Sequence, residues 1–235
     1  MKTKTVHLLM LLTLALLISC AELKKPDHLK IRIIETSDVH GALFPWDLID
    51  EKPTDHSLAQ VYTFVEQERA KPGQITILLD NGDILQGDPM VYYSNFENTS
   101  GDHVVSEVMN FMGYDAATVG NHDIEPGHPV YDKLKGNFDF PWLAANALRQ
   151  GTDQPYFEPY SIIEVEGIKI AVLGLITPAI PNWLPPQIWE GMEFQDMIEA
   201  AQYWMDHIRK NEKPDVMIGL FHAGVDATYN NQTAG

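Results

Sequence analysis

Four short runs of branched and apolar residues recur along this chain, and each stops on residues that ligate metals or move protons. The first, Leu29 to Thr36, runs into Ser37-Asp38-Val39-His40-Gly41, and the second, Ile75 to Asp80, into Asn81-Gly82-Asp83. The third, Ala116 to Gly120, runs into Asn121-His122-Asp123, and the last, Val216 to Phe221, delivers His222. Apolar runs of about four to eight residues bounded by turn formers read as buried strands. In open α/β sheets, residues placed beyond the carboxyl ends of the strands converge even when far apart in sequence. The pattern therefore predicts that four clusters meet on one edge of a sheet.

Helical spacing lies between the strands. Leu58, Val61, Tyr62 and Val65 share one face of a helix over Leu58 to Arg69; a second is expected over Val104 to Met112 and a third over Phe194 to Arg209. The segments Phe44 to Ser57, Gly87 to Ser100 and Pro178 to Gly191 read as loops whose Trp46, Tyr92, Tyr93, Trp183 and Trp189 either rim an entrance or anchor the loop. Two branched runs flanking Glu166-Gly167 predict an antiparallel hairpin over Ser161 to Ile176. Alternating strands and helices in 235 residues, 45% of them apolar, predict one α/β layered domain.

The chemistry at the strand ends is of one kind. Carboxylate, imidazole and amide oxygen suit Mn, Zn, Fe, Mg or Ca, and no thiolate is among them, which excludes an iron–sulfur or soft-metal centre. Gly41, Gly82 and Gly120 supply the backbone freedom that sharp strand exits need. Asp-x-His or Asn-Gly-Asp alone is an ordinary turn sequence. Gly-Asn-His-Asp is stronger, because histidine has no turn-forming advantage there. Asp123 reads as structural, and the histidines at 28, 56, 103, 128 and 207 read as residues of loops and helix surfaces without a site role.

Taken in order, Asp-x-His, Gly-Asp, Gly-Asn-His-Asp and a strand ending in His resemble the signature of the calcineurin-like metallophosphoesterases, over most of the chain from residue 29. The words Thr36-Ser37-Asp38-Val39-His40-Gly41, Thr118-Val119-Gly120-Asn121-His122 and Gly167-Ile168-Lys169-Ile170-Ala171-Val172-Leu173-Gly174-Leu175 are similar to the branch that holds 5'-nucleotidases and 2',3'-cyclic-nucleotide phosphodiesterases. The resemblance implies a two-sheet β-sandwich flanked by helices. It also implies two divalent metal ions, one on Asp38 and His40, the other on Asn121 and His222, with Asp83 bridging both. His122 then contacts the phosphoryl group and protonates the leaving oxygen, and metal-activated water attacks phosphorus. Two cations against two aspartates leave a surplus of positive charge suited to a phosphate dianion. Two departures stand out. Glu125 occupies the place of the aspartate that partners the catalytic histidine in the 5'-nucleotidases. The last ligand motif of the family, Gly-His-x-His or Gly-His-x-Gln, and the domain that follows it do not occur before Gly235, so a metallophosphoesterase domain over residues 29–235 is expected to be incomplete.

The first twenty residues set the address. Lys2 and Lys4 precede an apolar run from Val6 to Ile18, too short for a membrane span of about 20 residues, and Leu17-Ile18-Ser19-Cys20 resembles a lipobox. The expectation is a signal peptide over 1–20, lipidation of Cys20, a tether over 21–28, and a bacterial cell-envelope protein facing periplasm or exterior. Cys20 is the one cysteine, so no internal disulfide forms. A net charge of −17 argues against a nucleic acid duplex as partner and leaves a small-molecule phosphoester, a nucleotide in the first reading. Alternatives are a non-nucleotide ester such as a UDP-sugar or thiosulfate ester, and an incomplete fragment serving only as a lipid-anchored binding protein. Sequence leaves the oligomeric state open.

Overall fold

The structure, a computed structural model, describes residues 28–224; the signal segment, Cys20 and the tether up to residue 27 lie outside the described residues. In chain order the strands are β1 (Lys30–Thr36), β2 (Trp46–Asp47), β3 (Lys52–Pro53), β4 (Gln74–Asp80), β5 (Ala116–Thr118), β6 (Trp142–Leu143), β7 (Ala147–Arg149), β8 (Tyr160–Val165), β9 (Ile168–Ile176), β10 (Met192–Phe194) and β11 (Val216–His222). The helices are α1 (Leu58–Arg69), α2 (Pro89–Phe96), α3 (Val104–Met112), α4 (Asn121–Ile124), α5 (His128–Asn137), α6 (Ile180–Trp183) and α7 (Met197–Asn211).

Strands β1, β4, β5 and β6 form a parallel sheet in the order β1-β4-β5-β6. A second sheet has the order β11-β9-β8, with β11 parallel and β8 antiparallel to β9. Period-two alternation sorts the side chains into layers. On β4, Leu78 enters a core with Val65 of α1 and Met109 of α3, whereas Ile77 and Leu79 meet Leu143, Ile170, Val172 and Leu220 between the sheets. On β9, the residues of the other parity, Ala171, Leu173 and Leu175, pack on Met197, Ala200 and Ile208 of α7. The result is the expected two-sheet sandwich flanked by helices. At Gly174 the sheets pack closely: a Cβ there would lie 2.3 Å from Leu143 Cβ and 2.7 Å from Thr118 Oγ1.

Several boundaries differ from expectation for local reasons. The third strand ends at Thr118, two residues early, because Gly120 begins a one-turn helix, α4. The last helix starts at Met197 rather than Phe194, because Asp196 caps it by accepting from the N–H groups of Ile198 and Glu199, at 2.9 and 3.1 Å. Phe194 belongs to β10, paired with β7. The segment 87–100 is not a loop throughout: Asp88 accepts from the Met90 N–H at 2.8 Å and Pro89 sits at the first helical position, nucleating α2. His103 is buried rather than on a surface. Its Nδ1 accepts from the Val105 N–H at 3.2 Å, capping α3, and its Nε2 meets Asn95 Oδ1 at 2.8 Å.

Candidate metal centre

The loops after β1 and β4 are clipped to each other by main-chain bonds. Asp38 donates its N–H to Gly82 C=O at 2.9 Å, His40 donates to Asp83 C=O at 3.0 Å, and Asn81 donates to Thr36 C=O at 2.7 Å. Asp38, His40 and Asp83 hold left-handed φ angles of 52°, 49° and 64°. Half of the six described non-glycine residues with positive φ are thus expected metal ligands. Such backbone is unfavourable for L-residues and persists where surroundings over-determine it, typically at functional sites.

At Asp83 the over-determination comes from Asp123, fully buried. Its carboxylate accepts from the N–H groups of Gly120 (2.8 Å), Asp83 (2.9 Å), Ile84 (2.9 Å) and Leu85 (3.1 Å). One side chain from the third loop therefore shapes the second, as its structural reading required. Burial pushes the Asp123 carboxyl up, to about 6, and the Asp83 charge adds to the rise. Glycines 82 and 120 sit back to back: a Cβ on Gly82 would lie 2.6 Å from Gly120 N, and one on Gly120 2.2 Å from Asp83 Oδ1. Backbone freedom explains Gly82, with φ of 91°, but not Gly120, whose φ of −97° any residue adopts. Gly120 is needed because the Asp83 loop lies against it.

Asp83 is the centre of the site. Its Oδ1 accepts from the His122 N–H at 2.8 Å and its Oδ2 lies 3.2 Å from His222 Nε2. His222 Nε2 is also 3.2 Å from Asn121 Oδ1, and His222 Nδ1 donates to the Asn81 carbonyl at 2.6 Å, which turns Nε2 inward. Burial works to raise the Asp83 carboxyl, yet the His222 hydrogen bond and charge hold it below the usual carboxylate range. Burial would likewise lower the His222 imidazole, but Asp83 outweighs it and holds it up at about 9.

Asp38, His40, Asp83, Asn121, His122 and His222 all line one cleft of about 380 Å³. Ligand atoms of His40, Asp83 and His122 lie within 4.8 Å of one another, and so do those of Asp38, Asp83 and His222. Asp83 is common to both triads. Asp38 and His40 fall in different triads, and His122 stands as near Asp83 as a ligand does. Glu125 Oε1 comes within 2.9 Å of His122 Nδ1, at an angle that leaves this buried nitrogen without an aligned hydrogen bond. The His122 ring also packs edge-on against His40, with centroids 5.2 Å apart.

Sequence reasoning assigned nothing to Asp80, Asn81, Ser37 or Thr177. Asp80 is buried, accepts from Thr36 Oγ1 (2.6 Å) and the Gly82 N–H (2.9 Å), and is pushed up to about 7 by that burial. Ser37 donates to Asp38, and Thr177 lines the cleft beside His222. Asp80-Asn81-Gly82-Asp83 is a turn sequence whose first two members carry no pattern separating support from ligand. Of the expected rim aromatics, Trp183 lines the cleft, whereas Trp189 packs against the core and donates Nε1–H to Leu184 C=O at 3.1 Å.

Oxygen and imidazole donors converging on a shared, buried carboxylate fit divalent cations. Fold and cleft together define an α/β protein with a cluster of candidate metal ligands at the carboxyl edge of its sheets. The chain belongs to the calcineurin-like phosphoesterases, a hydrolase family whose model it matches over residues 31–235. It is 33% identical over 198 residues to a 5'-nucleotidase of Vibrio cholerae, covering 83% of this chain and 34% of that protein. It is 29% identical over 214 residues to a 2',3'-cyclic-nucleotide 2'-phosphodiesterase/3'-nucleotidase of Haemophilus influenzae, covering 86% and 32%. The chain thus spans about a third of the length of these curated relatives. Among solved structures it resembles the calcineurin-like phosphoesterase YfkN from Bacillus subtilis, with a TM-score of 0.75 at 29% identity over 86% of this chain and 64% of that one. It also resembles a putative 5'-nucleotidase from Staphylococcus aureus, with a TM-score of 0.74 at 26% identity over 86% and 39%.

Proposed function

We propose that this chain supplies the metal centre of a hydrolase that cleaves phosphate esters of nucleotides, anchored in a bacterial cell envelope by a lipid on Cys20 and facing the periplasm or exterior. The observation that carries the hydrolytic reading is Asp83, one buried carboxylate common to two ligand triads. Asp38, His40, Asp83, Asn121 and His222 would hold two divalent ions, which supply positive charge and Lewis acidity at the phosphoryl oxygens.

The chain's own residues do the rest. The Asp123 cage fixes Asp83 before any ligand arrives, so no rearrangement is required when negative charge enters. With Nδ1 turned towards Glu125, His122 has Nε2 left to donate a proton to the leaving oxygen. Glu125 acts on His122 as an orienting carboxylate, one methylene longer than the aspartate of the 5'-nucleotidases. Nucleotides are favoured as substrates because the relatives of about 30% identity are named for them. The lipid anchor rests on Leu17-Ile18-Ser19-Cys20 and the charged, apolar segment before it.

The test is metal content and phosphate release from a panel of nucleotides, measured on the full-length gene product with Mn, Zn, Mg or Ca supplied. Metal-dependent release from at least one nucleotide is expected, and Asp83→Asn is expected to lose both ions and the activity together. Loss of only one ion would show that Asp83 does not bridge. A metal-loaded protein that releases phosphate from no ester would overturn the reading.

A further inference from the structure

The two ends of the sheets carry different charge. The loops that leave β1, β4, β5 and β9 at the carboxyl edge, residues 37–57, 81–88, 119–127 and 177–191, hold ten Asp and Glu and one cation, Lys52. Two divalent ions at the centre would offset part of that charge and leave the edge acidic. The segments that lead into β1, β4, β5, β9 and β11 lie at the opposite end. These residues, 28–32, 66–74, 112–116, 164–170 and 206–216, hold eight Lys and Arg against eight Asp and Glu.

At this balanced end several acids turn inward and leave cations outermost. Arg32 and Lys71 both pair with Glu68, whose side chain is 5% exposed while theirs are 44% and 50% exposed. Asp115 accepts from the Leu78 N–H at 2.8 Å and Asp215 from the Lys169 N–H at 2.9 Å, so these carboxylates face the backbone. Phe111, 73% exposed, stands in the last turn of α3, where the Met112 and Gly113 carbonyls accept from Arg69 at 2.6 and 2.7 Å. Exposed cations beside an exposed aromatic ring suit the headgroup layer of a phospholipid surface. Basic side chains there meet anionic headgroups, and aromatic rings settle at the boundary.

Chain length points the same way. Ten residue steps separate Cys20 from Lys30, the first residue of β1, and fully extended they span at most about 36 Å. Turning the carboxyl edge to the surface would take that chain back along β1, about 23 Å, and past the acidic loops beyond it. We propose that the end of the domain where β1 begins docks on the phospholipid surface that holds the Cys20 lipid, with the metal cleft turned away towards solvent. The inference rests on the lipid-anchor reading above. Anionic headgroups repel the carboxyl edge and attract the exposed cations, and the two forces act in the same sense. A cleft on the far side stays open to soluble phosphate esters.

The test uses the acylated full-length protein on vesicles of phosphatidylcholine and phosphatidylglycerol. A fluorophore is attached after Pro72→Cys, just before β4, or after Asn182→Cys, next to the Trp183 that lines the cleft. A spin label on the lipid headgroup is expected to quench the fluorophore at position 72 at least about threefold more than the one at 182. Lys30→Glu combined with Lys210→Glu, both at exposed positions, is expected to bring that ratio close to one while the circular dichroism of the protein is unchanged. Raised salt, which screens charge without altering the chain, is expected to lower the same ratio. Equal quenching at the two positions, or stronger quenching at 182, overturns the orientation. A ratio that survives both the charge reversals and raised salt overturns the docking surface. Either result leaves the lipid anchor standing, whereas failure of both labelled proteins to float with the vesicles overturns the anchor and the inference with it.

Discussion

The β8–β9 turn and the Asp83 loop solve the same backbone problem by different means. Both place non-glycine residues in the left-handed region: Glu166 at φ 50° before Gly167 at 75°, and Asp83 at 64° after Gly82 at 91°. At the turn, two residues reverse the chain directly from Val165 to Ile168, and the two positive φ angles match the twist of the strands they join. Nothing distant is needed. The Asp83 loop is held from 40 residues away by the Asp123 carboxylate and from 141 away by the contact of His222 with Asn81. Strain that is locally relieved marks a connection, whereas strain that must be held from elsewhere marks a site whose geometry matters more than its cost.

The largest effect that separates the two regions is expected from Asp123→Ala. It leaves four N–H groups without their acceptor, and each costs about 1–3 kcal/mol when buried. Urea unfolding should show a loss of at least about 4 kcal/mol, and metal affinity should fall with it. A loss below about 1 kcal/mol would mean that the Asp83 loop, like the turn, supports itself.

Gly120→Ala comes next. The added methyl would press on Asp83 Oδ1 and on Asp83 N, 2.4 Å away, and overpacking of this kind costs about 1–3 kcal/mol. Metal affinity should drop more than stability does, because the displaced atom is a ligand. Equal tolerance of Ala at Gly120 and at an open glycine such as Gly136 would remove the distinction.

A third region falls between the two. His103 caps α3 locally, two residues from the N–H it accepts, yet depends on burial, which pushes its imidazole down to about 4, with the Lys133 charge adding to the effect. The unfolded chain takes up that proton first, near pH 6.5, so the contribution is present above about 6.5 and lost as pH falls towards 4. The loss is on the order of 2–3 kcal/mol, and it should vanish in His103→Asn, which keeps a capping side chain. Unfolding midpoints of both proteins between pH 7 and 4 read the difference directly.

The smallest effect is expected at the turn. Asparagine tolerates left-handed backbone better than glutamate, so Glu166→Asn should stabilise by about 0.5–1 kcal/mol without touching metal binding. Destabilisation there would show that the turn is not locally governed.

The sequence by itself determined the four strands that carry the site, their order of chemistry, the hairpin and the fold class, because strand length, apolar parity and turn residues act over a few positions; the short strands β2, β3, β6, β7 and β10 were not legible in it. Leu58–Arg69, Val104–Met112 and the Glu166-Gly167 hairpin stand where the pattern put them. The five expected ligands share one cleft because four strand ends in two sheets point the same way. Only the tertiary structure decided how Asp38 and His40 divide between the triads and why Gly120 must be glycine. Those outcomes depend on contacts between residues 37 or more positions apart, and side-chain packing and burial at such separations leave no periodic trace in the chain.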